Sequence, residues 1–302
     1  MKTIILAGGY ATRFYPITLN RPKPLLPVAG RPIIDYILAG NAFPDPPIVS
    51  TNRRFAEQFA RWRTGSDKDV QLVIEETTDE EGKLGTVGAL SFLIHRLNID
   101  DDILVVGGDN IFDFPLEALL SSYKGNPLVA LYDIKDVELV RGRYGVAIVE
   151  DGQIVDFQEK PQRPRSTLAS TACYIYPQKT FSLIDEFLNV AEEGSDAPGY
   201  LNEWLLKEQG MRIDPFVFEG GWYDIGDRSS YIAANQHYSG RDTVRGEDVI
   251  IERSTVQDSV LLDEVRIEDS SIVGCVIDRD CSLKGVDLNG CLVGKGSNIR
   301  AA

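Results

Sequence analysis

The residues best able to do chemistry in this chain are gathered near its start. Gly8 and Gly9 close a short apolar run, Thr3-Ile4-Ile5-Leu6; Arg13 follows, and ten residues later Lys23 stands between Pro22 and Pro24. The run is rich in β-branched residues and predicts a buried strand. Glycines at the C-terminal end of a strand let backbone N–H groups approach a ligand closely and point at its phosphates. An arginine and a rigidly held lysine beside them add the counter-charge a triphosphate requires. A tight turn with two surface cations would explain the glycines but not Pro22-Lys23-Pro24.

A second group, Gly107-Gly108-Asp109-Asn110, follows the apolar run Ile103–Val106. A carboxylate at a strand end, beside glycines that admit phosphates, is suited to hold Mg²⁺. Other chemistries have little to work with. The chain has two histidines, His95 and His237, and four cysteines with no C-x-x-C spacing, so neither a zinc site nor a disulfide framework is expected. A net charge of −15 without a basic stripe argues against nucleic acid as a partner. Anionic substrates must then be held by a few local cations and a metal. Hydrophobic residues make up 43% of the 302, ample for a core, and no apolar run approaches the roughly 20 residues of a membrane span. With the first strand at the N-terminus, no secretory leader is expected, and a reducing cytoplasm fits.

The elements that must position these groups alternate through about the first 130 residues. Strands are predicted at Pro47–Ser50, Val70–Ile74, Ile103–Val106 and Leu128–Tyr132. Helices are predicted at Ile33–Ala39, Phe55–Arg63, Val87–Leu97 and Leu116–Tyr123. Such alternation implies a mostly parallel sheet covered on both faces, with ligands outside the C-terminal ends of its strands. Gly8-Gly9 and Asp109 fall on that rim. From Tyr144 to Cys173 the pattern turns to hairpins: Val146–Val149 and Ile154–Phe157 flank Asp151-Gly152, a strong hairpin-turn signal. Helices are predicted at Phe181–Val190 and Leu201–Gln209.

The last stretch is a repeat. Ile251, Ile267, Leu283 and Ile299 are spaced by 16, as are Val256, Ile272 and Leu288, and Leu261, Ile277 and Val293. Each period splits as 5, 5 and 6, one inward apolar residue per side, which predicts a three-faced β-helix about three coils long. Cys275 and Cys291, one period apart, are expected to stack as small apolar residues.

Taken together, the segment from Leu6 to Pro27 resembles the signature of sugar-nucleotide pyrophosphorylases, L-A-G-G-x-G-T-R-L-x-P-x-T followed by P-K-x-L-x-P. Its R-P-K-P-L-L-P is most similar to glucose-1-phosphate thymidylyltransferases. One departure is Ala11, where the family usually has a third glycine; a positive φ there would cost alanine about 1 kcal/mol. The resemblance implies an α/β fold, a Rossmann-like mixed, mostly parallel sheet flanked by helices, with a short C-terminal left-handed β-helix. Residues 1–240 would form the nucleotidyltransferase domain, with a nucleotide half to about 130 and a sugar-binding half from 131 to 240. Residues 246–302 would form the β-helix tail.

The site residues it implies are these. Leu6, Ala7, Gly8, Gly9, Arg13, Lys23, Gly85, Thr86 and Asp109 bind the nucleotide, Gly85 and Thr86 belonging to a G-T-V-G-A-L segment like the family's G-T-A-G-A-L. Gly145, Glu159, Lys160 and Thr171 bind the sugar phosphate, with Glu159-Lys160-Pro161 as the E-K-P element and Ala172 where a glycine is commoner. Asp109 and Asp224, the latter in a W-x-D-x-G segment, ligate Mg²⁺. Arg13, Lys23 and Lys160 are the catalytic cations. Glu75-Glu76 end a strand where thymidylyl- and uridylyltransferases commonly present glutamine to the base. The expected reaction joins a nucleoside triphosphate, dTTP or UTP, to a sugar 1-phosphate, favouring glucose 1-phosphate, and releases pyrophosphate. The alternatives are a mannose-1-phosphate guanylyltransferase and a non-catalytic, pyrophosphorylase-like regulatory subunit. With no histidine after His237, the tail is read as structural or oligomerising, and a homo-oligomer is expected.

Overall fold

The apolar run after Met1 is the strand Lys2–Leu6, and it is the hub of a sheet. The computed structural model describes residues 1–39, 43, 45–65, 69–191 and 197–301. Within them Lys2–Leu6 pairs in parallel with Ile48–Asn52 on one side and Ile103–Gly107 on the other. Gln71–Glu75 adds a further parallel strand beyond Ile48–Asn52. On the other flank the long strand Leu168–Tyr176 runs antiparallel to Ile103–Gly107, Leu128–Asp133 and Val146–Glu150. Gln153–Gln158 and Asp214–Phe218 complete a nine-stranded mixed sheet.

The chain divides into two units that do not follow chain order. The first comprises Met1–Gly9 and Ile37–Trp222, the second Tyr10–Tyr36 and Tyr223–Ala302. In the first unit the central strands are apolar on both faces, because helices cover both: Ile4, Ile48, Ile103 and Val105 pack with Val87, Leu90 and Leu93 of the helix Gly85–Leu97, all but solvent-free. The turn signal Asp151-Gly152 is used as expected, with φ of 48° and 73° between paired Glu150 and Gln153.

In the second unit the sixteen-residue period becomes three ladders of parallel strands. Ile251, Ile267, Leu283 and Ile299 stand in register on one, Val256, Ile272 and Leu288 on the next, Leu261, Ile277 and Val293 on the third. The arrangement is consistent with a left-handed β-helix. Its core includes Ile267, Ile272, Ile277 and Leu283, all 0% exposed. Cys275 is buried as expected and its Sγ accepts the Cys291 N–H at 3.3 Å, whereas Cys291 itself is half-exposed. The helix Arg228–Ser239 opens on a capping box between Asp227 and Ser230 and ends at Gly240 with φ 66°.

Element ends differ from the sequence reading for local reasons. The helix expected from Val87 begins at Gly85. The one expected from Leu201 begins at Pro198, where a missing N–H is harmless in the first turn. Asn52 Oδ1 accepts the Phe55 N–H at 3.1 Å and caps a tight turn, so the α-helix proper starts at Ala56.

Each coil of the tail contributes one apolar residue per face, so a loss there has no neighbour to fill it. Ile272→Ala should cost about 2–5 kcal/mol of stability, read as a lower urea midpoint for the tail's transition.

Candidate active site

Parallel pairing aligns Leu6 with Ser50 on one neighbour and with Gly107 on the other. The same ladder continues past the strand ends: Ala7 N–H donates to Ser50 O at 2.7 Å and Gly108 N–H to Leu6 O at 2.9 Å. Leu6, Ala7, Gly8, Gly9 and Asp109 are thereby brought to one rim of the first unit, as the sequence implied. Asn52, fully buried, holds the glycine turn by donating from Nδ2 to Gly8 O at 2.9 Å.

Gly8 is a glycine for want of space. A Cβ there would stand 2.9 Å from Glu75 Oε1 and 3.0 Å from Oε2. Glu75 ends its own strand at 4% exposure, and Ser50 Oγ donates to its Oε1 at 2.7 Å. Burial pushes the Glu75 carboxyl above its ordinary range, an effect the Ser50 hydroxyl partly opposes. Gly107 is likewise crowded, its Cβ position lying 2.7 Å from the methyl of Ala172. The methyl that departs from the family pattern thus covers Gly107, two residues before Asp109.

Asp109 is half-buried and oriented by a relay that sequence reading missed. Trp222 Nε1 donates to Asn110 Oδ1 at 2.7 Å, and Asn110 Nδ2 donates to Asp109 Oδ1 at 2.9 Å. The indole can only donate, which fixes the Asn110 amide and hence the donor facing Asp109. Trp222 reads in sequence as a core aromatic. Its neighbour Gly221 is held by paired backbone and side-chain bonds to Asp113.

Glu159 and Lys160 form a second group in the same unit. The Glu159 side chain, 6% exposed, lies where Gly145 and Gly199 would otherwise carry Cβ atoms; Phe157 crowds the same space. Gly199, at the start of the helix Pro198–Lys207, had no motif to mark it. Lys160 has φ 45°, a left-handed conformation that a side chain makes costly, and its Nζ lies 3.5 Å from Glu159 Oε1. Strain of this kind persists where the surroundings impose it; the Lys160 side chain is 54% exposed. Thr171 is fully buried and its hydroxyl donates to Ala130 O at 2.9 Å, committing it to the sheet. Gly85 and Thr86 open a helix, so their N–H groups lie outside its hydrogen-bond ladder and are suited to an anion.

Arg13, Lys23 and Asp224 belong to the second unit. Arg13 is exposed on a one-turn helix, Thr12–Phe14, whose N-cap residue Ala11 has φ 50° and ψ 43°. The left-handed conformation anticipated at that position is therefore present, with alanine in it. Thr18 Oγ1 donates to Ala11 O at 2.7 Å and holds the turn. Lys23 is 9% exposed in the one-turn helix Lys23–Leu25. Asp224 is half-buried, its carbonyl accepting the Gly226 N–H at 2.8 Å.

Among the described residues no three or more His, Cys, Asp or Glu side chains converge as a metal cluster. Asp109 in the first unit and Asp224 in the second are each a hard oxygen donor of the kind Mg²⁺ takes when phosphate oxygens and waters complete its shell. His95 is exposed and paired with Asp185 Oδ2 at 2.9 Å. No described helix is long and apolar enough to cross a membrane.

Comparison with known proteins gives the same direction. The nucleotidyl transferase family profile matches residues 2–241. A putative mannose-1-phosphate guanyltransferase of Sulfolobus acidocaldarius is 31% identical over 238 residues, covering 78% of this chain and 62% of that protein. The bifunctional protein GlmU of Methanocaldococcus jannaschii is 28% identical over 263 residues, covering 87% of this chain and 60% of that protein. The chain thus spans about 60% of the length of these relatives. The crystal structure of a putative glucose-1-phosphate thymidylyltransferase from Bacillus anthracis, in complex with a sucrose, superposes with a TM-score of 0.65 at 28% identity, over 80% of this chain and 96% of that one.

Two outcomes test the local readings. Ala11→Gly should relieve the left-handed strain and raise stability by about 0.5–1 kcal/mol, after the entropy glycine adds to the unfolded chain, seen as a small rise in melting temperature. Glu75→Gln should gain on the wild type as pH rises. The folded carboxyl has a raised pKa, so its favourable protonated state is complete below the unfolded value and is lost as pH climbs through the folded one. Urea melts of both proteins at pH 4 and pH 8 should show the difference widening at pH 8; a constant difference would deny the buried carboxyl its role.

Proposed function

Because the chain belongs to the nucleotidyl transferase family, its residues 2–241 matching that family's profile, we propose that it transfers a nucleotidyl group from a nucleoside triphosphate to a sugar 1-phosphate, releasing pyrophosphate. The observation that carries this reading is the shared rim, where the pairing of Leu6 with Gly107 sets Gly8-Gly9 and Asp109 at neighbouring strand ends. Backbone N–H groups of Ala7, Gly8 and Gly9 would bind phosphate oxygens, helped by the first-turn N–H groups of Gly85 and Thr86.

The transfer asks for little proton movement. A sugar phosphate has a second pKa of about 6, so its attacking oxygen is already ionised at pH 7 and no general base is needed. That suits a chain whose two histidines lie outside the proposed machinery. The oxygen attacks the α-phosphorus in line, the bond to the leaving phosphate breaks, and the electron pair departs with pyrophosphate. Catalysis comes from positioning and charge. Arg13 and Lys23 stabilise the departing pyrophosphate. Lys160 aims the sugar's phosphate, while Glu159, held by the bare backbones of Gly145 and Gly199, accepts sugar hydroxyls. Asp109 and Asp224 would hold Mg²⁺, which when bound supplies charge that offsets the phosphates. Each charged contact contributes about 1.5–3 kcal/mol, or about 10- to 100-fold in rate.

The finer reading is transfer of a thymidylyl or uridylyl group to glucose 1-phosphate, supported by the R-P-K-P-L-L-P segment and by the activity named for the superposed Bacillus anthracis protein. A second reading is guanylyl transfer to mannose 1-phosphate. The Sulfolobus acidocaldarius relative bears that activity in its name.

Pyrophosphate release with Mg²⁺, measured over five nucleoside triphosphates and several hexose 1-phosphates, should give turnover for one base and sugar pair and so decide between these readings. Silence across the grid from folded protein would overturn the transfer reading in favour of a regulatory subunit. On the active pair, Asp109→Ala should abolish turnover at any substrate level, and Lys160→Ala should mainly raise the KM for the sugar phosphate.

A further inference from the structure

Arg21 lies two residues before Lys23 and is tied to a distant part of the second unit. Its guanidinium, 13% exposed, donates from Nη2 to Oδ1 of Asp278 at 3.3 Å; that carboxylate is 5% exposed and 257 positions away. Asp278 is itself immobilised in the tail. Its Oδ1 also accepts the Arg279 N–H at 2.8 Å, and its own N–H donates to Val293 O at 2.9 Å, one coil on. Beside it, Gly294 leaves room for Pro16: a Cβ there would stand 2.9 Å from the proline's own Cβ.

The helix Arg228–Ser239 reinforces the same segment. Tyr231, fully buried, donates its hydroxyl to Pro27 O and meets Phe14 edge-on at 5.4 Å between ring centres. Asn235 Oδ1 accepts the Ala29 N–H at 2.9 Å. The helix is in turn fixed to the tail, since the Arg228 guanidinium donates to Gly290 O. The segment that carries Arg13 and Lys23 is therefore braced from two sides, and one brace is an ion pair almost out of water. An exposed pair would contribute little. A desolvated pair resists being opened, because either partner left alone is a charge without solvent. Pro22 and Pro24 stiffen the backbone on both sides of Lys23, so a shift at Arg21 is passed to Lys23 rather than absorbed.

We infer that Asp278 is a positioning residue for the transfer reaction: through Arg21 it fixes the Arg21-Pro22-Lys23-Pro24 segment so that Lys23 is presented in one orientation. The coil carrying Asp278 is then a working part of the catalytic machinery of its own chain, beyond a structural or oligomerising role. The kinetic side of this inference rests on the proposed transfer reaction; the placement of Lys23 does not.

Asp278→Asn, Arg21→Gln and the double variant, made in the full chain, test it. On the active base and sugar pair, each single variant should lose kcat by about tenfold or more, as small misplacements of a catalytic group do, with the KM for the sugar phosphate within twofold of wild type. The double variant should be no worse than either single one, since no lone buried charge remains. Independently of activity, acetylation by acetic anhydride, read by peptide mass spectrometry, should quicken at Lys23 at least threefold in the single variants, with Lys83 and Lys207 unchanged. Unchanged labelling at Lys23, retained kcat, or faster labelling of all lysines together would each overturn the inference, the last marking general loosening. If the wild type itself turns over no substrate pair, the transfer reading falls, and the labelling alone still decides whether Asp278 fixes Lys23.

Discussion

One parallel register governs the strand-end rim of the first unit. Leu6 pairs with Ser50 and with Gly107, and the loops that leave these three strands carry the residues with chemistry. A slip by one residue would turn every side chain of Lys2–Leu6 to the opposite face and move Gly8 out of step with Gly108 and Asp109. The register is defended at its end by buried polar groups. Asn52 uses its amide twice, giving to Gly8 O and accepting from Phe55 N–H. With no solvent to replace a lost partner, each such bond costs about 1–3 kcal/mol to leave unmade.

Glycine recurs in the first unit for one steric reason. Gly8, Gly107, Gly145 and Gly199 are not bent into conformations forbidden to other residues; they leave room for a side chain that comes from elsewhere. Glu75 fills the first space, Ala172 the second, and Glu159 the other two. Conformational strain is placed instead on Ala11 and Lys160, both of which precede or carry a cation. Within the first unit, missing side chains at four glycines and unfavourable backbone at Lys160 thus do the shaping.

Local features were legible in the sequence. The apolar strand runs, the strand–helix alternation, the period of sixteen, the Asp-Gly turn and the strand-end glycines are all visible along the chain, and the strands, the hairpin and the tail's ladders follow them. What sequence could not give is long-range. Nothing local says that Tyr10–Tyr36 groups with Tyr223–Ala302, because the link runs through Arg21 and Asp278, 257 positions apart. Glu75 over Gly8 is equally silent, since a glycine that makes room looks like a glycine that makes a turn. Trp222 reads as core, and only the path of its indole N–H to Asn110 reveals its bearing on Asp109. The hydroxyl of Thr171 donates to Ala130 O, a link across 41 positions that no local feature marks.

The corners of the tail stack in columns of positive φ: Asp248, Glu264, Asp280 and Gly296 in one, Arg253, Asp269 and Gly285 in another, Asp258, Gly274 and Gly290 in the third. Glycine and polar residues alternate freely down these columns because each accepts the left-handed bend at a cost of about 1 kcal/mol or less between them. The period of sixteen therefore holds with aspartate, glutamate, arginine or glycine at a corner. Gly290 answers a further demand. The place its Cβ would occupy belongs to the Arg228 guanidinium, which donates to Gly290 O, so this corner also ties the tail to the helix that precedes it.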